Sequence, residues 1–325
     1  MTSTWPKSMT WPAEFCELTC CAFPRPPKTK PKQNMLNTPH TSSRDQASLL
    51  RMLARKAMIG QSVSSSADAT LVTLLGAGEG MGTTTLCYNL AYQMTISGQR
   101  VVTLDLNREN QGLGDLAGIA PQAMVSDLIS GRTDLHECLT TGWAGSLLLP
   151  TAPEINSASG AFPGWTERLI SRIKELGKHA EYVLIDAGCQ YDSLTQALWK
   201  ESQHAALVLT PDAEAITTGY ETLRSLETKV SRDKLWAIVN RTTSITPHYA
   251  MIQGLDRTCR KFLDLQVELL GFVDYSAEVT ASNQACQPLA QRYPSTGAAV
   301  SMAKLTESLI TAVSVPSVVI NQKIA

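Results

Sequence analysis

The chain has 325 residues, with 28 Lys and Arg against 29 Asp and Glu, a formal net charge of −1. That balance excludes a global basic field of the kind that binds nucleic acid. The length suits one large α/β domain with tails or two small domains, and 43% hydrophobic residues supply a sizeable core. No apolar run approaches the roughly 20 residues that span a bilayer. Trp5, Pro6 and Glu14 stand where the apolar stretch of a signal peptide would be. Cys87, Cys138, Cys189, Cys259 and Cys286 are scattered singly in apolar contexts, which suits reduced thiols in a cytoplasmic protein. Cys16, Cys20 and Cys21 cluster without a second Cys/His pair at zinc spacing, so no metal site is expected there.

Residues 1–42 hold Pro6, Pro12, Pro24, Pro26, Pro27, Pro31 and Pro39 around a basic run at 25–32. Proline at this density predicts a disordered arm without a packed core. The arm is either attracted to acidic surfaces or does little, and Met35 is an alternative start. Ser43-Arg44-Asp45-Gln46 is a capping box. It opens a predicted helix over 43–58, with Leu49, Leu50, Leu53 and Ala57 on one stripe and Arg51, Arg55 and Lys56 off it. A Ser-rich linker at 59–68 leads into the main domain, 69–314, and residues 315–325 form a tail.

The domain opens with an apolar run at 71–75, then Gly76-Ala77-Gly78-Glu79-Gly80-Met81-Gly82-Thr83-Thr84-Thr85, then a helical start at 86–91. Strand, glycine loop and helix make a phosphate cradle, because backbone N–H groups converge on an anion at a helix N-terminus. A P-loop closes on Gly-Lys-Ser/Thr. Here Thr83 holds the lysine position and Thr84 the hydroxyl position. The plain alternative is a glycine turn between strand and helix.

Further apolar runs at 100–104, 146–149, 182–185, 206–210, 235–239 and 269–273 read as strands, and periodic stretches at 165–178, 213–230 and 249–265 read as helices. Strands alternating with helices predict right-handed βαβ units and a doubly wound, mostly parallel sheet, with ligands at the carboxyl ends of the strands. Polar residues close several of those runs: Asp105 and Asn107, Asp186, Asn240 and Arg241, Asp274 and Tyr275. Four such ends, in register with a glycine loop, form a site signature.

With these residues in view, the region 43–313 resembles the MinD/ParA class of P-loop ATPases with a deviant Walker A loop, and within it the FlhG (FleN/YlxH) family of flagellar-number regulators. Asp45-Gln46-Ala47-Ser48-Leu49-Leu50-Arg51 resembles that family's N-terminal activation helix. Val183–Gly188 with Leu209–Thr217 resembles the Walker B-like strand and its successor, and Val239-Asn240-Arg241 with 270–273 the base-binding end.

The resemblance implies ATP or ADP with Mg²⁺ as cofactor. Gly78, Glu79, Gly80, Met81, Gly82, Thr83, Thr84 and Thr85 would wrap the phosphates. Thr84 would hold the metal, with Asp105 and Asp186 in metal–water contact. Asn240 would read the adenine edge, and Asp274 and Tyr275 would line the base. It further implies an SRP-type GTPase, FlhF, as partner of Asp45, Gln46, Ala47, Leu50 and Arg51, flagellar C-ring or transcription-factor proteins as partners of the domain, and a homodimer. In the class the loop reads Lys-Gly-Gly-x-Gly-Lys-Thr-Thr. Gly78 and Thr83 replace its lysines, Glu79 replaces its first glycine, and Asn107 stands at its water-orienting aspartate. A unit charge about 4 Å from another is worth roughly 4 kcal/mol at an effective dielectric of 20. Hydrolysis is therefore expected to be absent or very slow, and no catalytic residue is assigned.

The last predicted helix, 297–313, carries Ala298, Met302, Leu305, Leu309 and Ala312 on one face. In the resembled families a helix here binds the membrane. With Lys304 as its sole cation and no aromatic residue, this one reads as a docked core helix. Two other readings stay open. One is an accessory protein of a secretion machine, like the cellulose-secretion relative BcsQ or pilus-positioning relatives. The other is a slow ATPase that draws its cation from Arg108 or Arg241.

Overall fold

Continuous β-branched and aliphatic runs bury both faces of a strand, and that is the pattern of a parallel sheet covered by helices on each side. The computed structural model describes residues 69–107, 112–119, 125–150, 164–176, 180–226 and 235–314. Its strands are β1 Thr70–Gly76, β2 Val101–Asp105, β3 Thr140–Thr141, β4 Leu147–Leu149, β5 Tyr182–Asp186, β6 His204–Leu209, β7 Leu235–Thr242 and β8 Val267–Asp274. They form one sheet in the order β3-β4-β2-β5-β1-β6-β7-β8. Every pairing is parallel except β3 with β4.

The helices are α1 Thr83–Ile96, α2 Leu113–Ala117, α3 Val125–Ser130, α4 Leu135–Cys138, α5 Trp165–Glu175, α6 Ser193–Glu201, α7 Ala213–Ser225, α8 Ile245–Leu263, α9 Glu278–Gln284, α10 Leu289–Arg292 and α11 Gly297–Ser314. Helices α1 and α11 share a core of Leu86, Leu90, Met94, Met302, Leu305 and Leu309. Helix α5 packs Trp165, Leu169 and Ile173 into a second core, and Trp199, Leu223 and Leu255 of α6, α7 and α8 belong to a third. Gly271 of β8 makes room for α11, since a Cβ there would stand 3.0 Å from Leu305 Cδ1.

Each of the seven apolar runs became a strand. β3 was not foreseen, because two polar threonines carry no apolar signal. Helix α8 begins at Ile245 rather than 249: a proline is tolerated in a helix's first turn, so Pro247 does not block it. Helix α11 buries Ala298, Met302, Leu305 and Leu309 against β8 and α1, so the apolar face read from the sequence is spent on the core. Among the described residues no helix is long and apolar enough to cross a membrane. The arm 1–42, the helix 43–58, the linker 59–68 and the tail 315–325 lie outside the described residues.

Candidate functional site

The loop between β1 and α1 sits over the carboxyl edge of the central strands. Its start is tied down by Gly76 N–H donating to Gly188 O at 2.8 Å and Ala77 N–H to Val208 O at 2.9 Å. Gly80 and Gly82 take φ of 71° and 82°, the left-handed region that favours glycine. A Cβ on Gly82 would also lie 2.5 Å from Asn240 Nδ2, so this position has no space for a side chain. Gly82 is the N-cap of α1 and supplies no side-chain cap. The first-turn N–H groups of Thr83, Thr84 and Thr85 have no intrahelical acceptor and point toward the loop, where the helix dipole favours an anion. Glu79 and Gly80 are exposed, while Thr83 is buried, its Oγ1 2.7 Å from where a Cβ on Gly76 would be.

Three asparagine amides reach the loop from three elements. Asn240, closing the buried part of β7, donates to Met81 O at 2.9 Å and accepts from Arg241 N–H at 2.9 Å. Asn107, just after β2, donates to Thr84 Oγ1 at 2.8 Å. Asn283, in α9, donates to Thr85 Oγ1 at 3.0 Å. The strand-end pattern found the first two. Asn283 had no signal, because nothing in the sequence of a short polar helix says which residue it faces.

Behind the loop, Asp105 and Asp186 are paired neighbours on β2 and β5, 2% and 0% exposed. Asp105 accepts from Asn107 N–H at 3.1 Å and from Leu113 N–H at 2.7 Å, and Asp186 accepts from Gly188 N–H at 3.1 Å. Burial, and then the charge of Asp186, raise the Asp105 carboxyl from its ordinary 3.8 to about 7, against the pull of those N–H bonds. The same carboxylates, after burial, push up the Cys87 thiol. Two crowded carboxylates beside a hydroxyl are hard oxygen donors, and a divalent cation would relieve their repulsion. Thr84 Oγ1 keeps a second lone pair beyond the one Asn107 uses. The donor set therefore fits Mg²⁺.

Asp274 turns toward α11. Its N–H donates to Ser301 Oγ at 3.0 Å, and its Oδ2 lies 3.1 Å from where a Cβ on Gly297 would be. Tyr275 is 63% exposed. Among the described residues no hydrogen bond links either to the loop. Arg241 takes a left-handed φ of 60°, which brings its Nη2 within 3.9 Å of that same Gly82 Cβ position. Arg108, Asp45, Gln46, Ala47, Leu50 and Arg51 lie outside the described residues.

No protein-family model matches the chain. The antiactivator FleN of Pseudomonas aeruginosa is 20% identical over 239 residues, covering 74% of this chain and 85% of that protein. The flagellum site-determining protein YlxH of Helicobacter pylori is 26% identical over 204 residues, covering 61% and 67%. The septum site-determining protein MinD of Pyrococcus horikoshii, solved with Mg-ADP, superposes with a TM-score of 0.63 at 17% identity, over 76% of this chain and 98% of that one.

The chain is similar to the FlhG-like proteins FleN and YlxH and has the fold of MinD. The MinD likeness carries the fold. The likeness to FleN and YlxH covers far more of the chain than the loop alone. In this chain the loop, Asp105, Asn107, Asp186 and Asn240 converge on one edge, while among the described residues Asp274 and Tyr275 are not bonded to the loop.

Proposed function

We propose that this chain is a FlhG-like regulator of flagellar placement or number that acts by binding partners, with ATP hydrolysis absent or very slow. One observation carries the reading. The loop keeps the backbone of a phosphate cradle, yet Gly78 and Thr83 stand at its lysine positions, and Asn107, whose amide holds Thr84, stands where a carboxylate would orient water. Phosphoryl transfer depends on positioning and on cations that meet developing charge. A neutral amide can do neither the base's work nor the lysine's. The names of FleN and YlxH support the flagellar role, and the Mg-ADP complex of MinD supports nucleotide at the loop.

ATP or ADP would lie on the amides of Gly80 to Thr85, with Asn240 at the base and Asp274 and Tyr275 beside it. Mg²⁺ would be held by Thr84, with Asp105 and Asp186 behind it through water, and would neutralise phosphate charge. The chain's own part is to orient the phosphates and hold the loop. The division into arm, activation helix, linker and domain belongs to the same proposal, as does a cytoplasmic location. Asp45, Gln46, Ala47, Leu50 and Arg51 would contact the SRP-type GTPase FlhF.

Two measurements test this. Phosphate release from ATP by the purified chain is expected to match a protein-free blank, and turnover like that of a lysine-bearing relative would sink the non-hydrolysing view. A peptide of residues 41–58 is expected to stimulate FlhF, with the effect lost on Gln46→Ala; no stimulation would remove the partner role. A second reading, a slow ATPase, has one observation in its favour, the guanidinium of Arg241 beside Gly82. Measurable turnover lost on Arg241→Ala would select it.

A further inference from the structure

Asn283 belongs to neither the loop motif nor the strand-end pattern, yet it bonds the loop directly. Its Nδ2 reaches Thr85 Oγ1 at 3.0 Å. An amide nitrogen only donates, whereas a threonine hydroxyl has one proton and two acceptor lone pairs. Thr85 therefore accepts from Asn283, and its own proton is turned away from α9. Thr85 is the third residue of α1, in the turn whose N–H groups face the cradle.

A second bond path joins the same two regions. Asn89 Nδ2 donates to Thr85 O at 2.8 Å, and Asn89 Oδ1 accepts from Leu289 N–H at 2.8 Å. Residues 283–289 thus grip Thr85 both directly and through Asn89. Asn283 Oδ1 is buried with no partner among the described residues. A half-satisfied buried amide is costly, and a water or a bound group at the site would complete it.

We infer that Asn283 is a positioning residue of the loop: it fixes the Thr85 hydroxyl as a donor toward a bound phosphate and ties the loop's occupant to the α9–α10 segment. The inference rests on the proposed reading of the loop as a phosphate site. Neighbouring side chains complete the logic. Asn107 bonds Thr84 and Asn240 bonds the Met81 carbonyl, so the bond to Thr85 Oγ1 comes from a third element.

Isothermal titration of the full chain with ATP, ADP and inorganic tripolyphosphate tests it. Asn283→Ala is expected to weaken all three by about 10- to 150-fold, the worth of one hydrogen bond to a charged group. Asn283→Asp should weaken them further, because a carboxylate accepts the Thr85 proton and reverses the bond. Thr85→Ala should lose a similar amount, and adding Asn283→Ala to it should cost nothing more. Thr85→Ser should respond to Asn283→Ala as the unmodified chain does, which guards against a variant that merely folds poorly. Affinities within 2-fold for Asn283→Ala, or losses that add in the double variant, overturn the inference and leave the loop reading intact. If the unmodified chain binds none of the three probes, the loop is not a phosphate site and both readings fall together.

Discussion

Asp105 shows how much of this site is set by single residues. Its carboxyl is raised from 3.8 to about 7 by burial and by the neighbouring Asp186. The folded chain therefore holds a proton there between about pH 4 and pH 7 that the unfolded chain has released. Stability from this group is full below the unfolded value and is lost as pH rises through about 7. In metal-free buffer the Tm should fall from pH 5 to pH 7.5, and Asp105→Asn should flatten that slope while lowering the whole curve, since an amide has one acceptor oxygen and can take only one of the two N–H bonds. A slope equal in the two proteins would show that Asp105 does not titrate in this window. The strand-end polar residues were legible because an apolar run closed by Asp or Asn is visible in the sequence. What those residues bond to was not. Asn240 and Asn107 hold the loop, and Asp274 turns to α11, through contacts between positions more than 20 residues apart.

At the scale of elements the apolar runs carried most of the fold, because a strand buried on both faces has no polar residues to interrupt it. Strand β3 and its antiparallel pairing with β4 escaped, since that pairing comes from a turn and not from hydrophobicity. Helix α11 was legible in its stripe, but a stripe alone does not say whether a core or a membrane covers it. The structure shows Leu309 at 1% exposure, packed with Met302 and Leu305 over β8 and α1. Leu309→Ala should accordingly cost about 2 to 5 kcal/mol in urea denaturation, as buried leucine truncations do. A loss below about 0.5 kcal/mol, the usual size for exposed substitutions, would mean that the helix leaves the core in solution.

For the whole molecule the question is whether ATP changes its assembly. In the resembled class the first loop lysine reaches across a dimer to the partner's phosphates, and Gly78 occupies that position. On the proposed reading the difference is chemical rather than steric. A Cβ on Gly78 would meet Met81 Cε at 3.6 Å and Thr218 Cγ2 at 3.8 Å, ordinary van der Waals contacts, so the fold admits a side chain there. Sedimentation of the unmodified chain should therefore be the same with and without ATP and Mg²⁺. Gly78→Lys combined with Thr83→Lys and Asn107→Asp restores both cations and the carboxylate, and is expected to sediment as a dimer when ATP is added. An ATP-dependent shift in the unmodified chain would show that the missing lysines are compensated elsewhere, with Arg241 at Gly82 the first place to look. If neither protein shifts, the loop charges are not what holds this chain apart, and its regulation would have to run through surfaces away from the nucleotide edge.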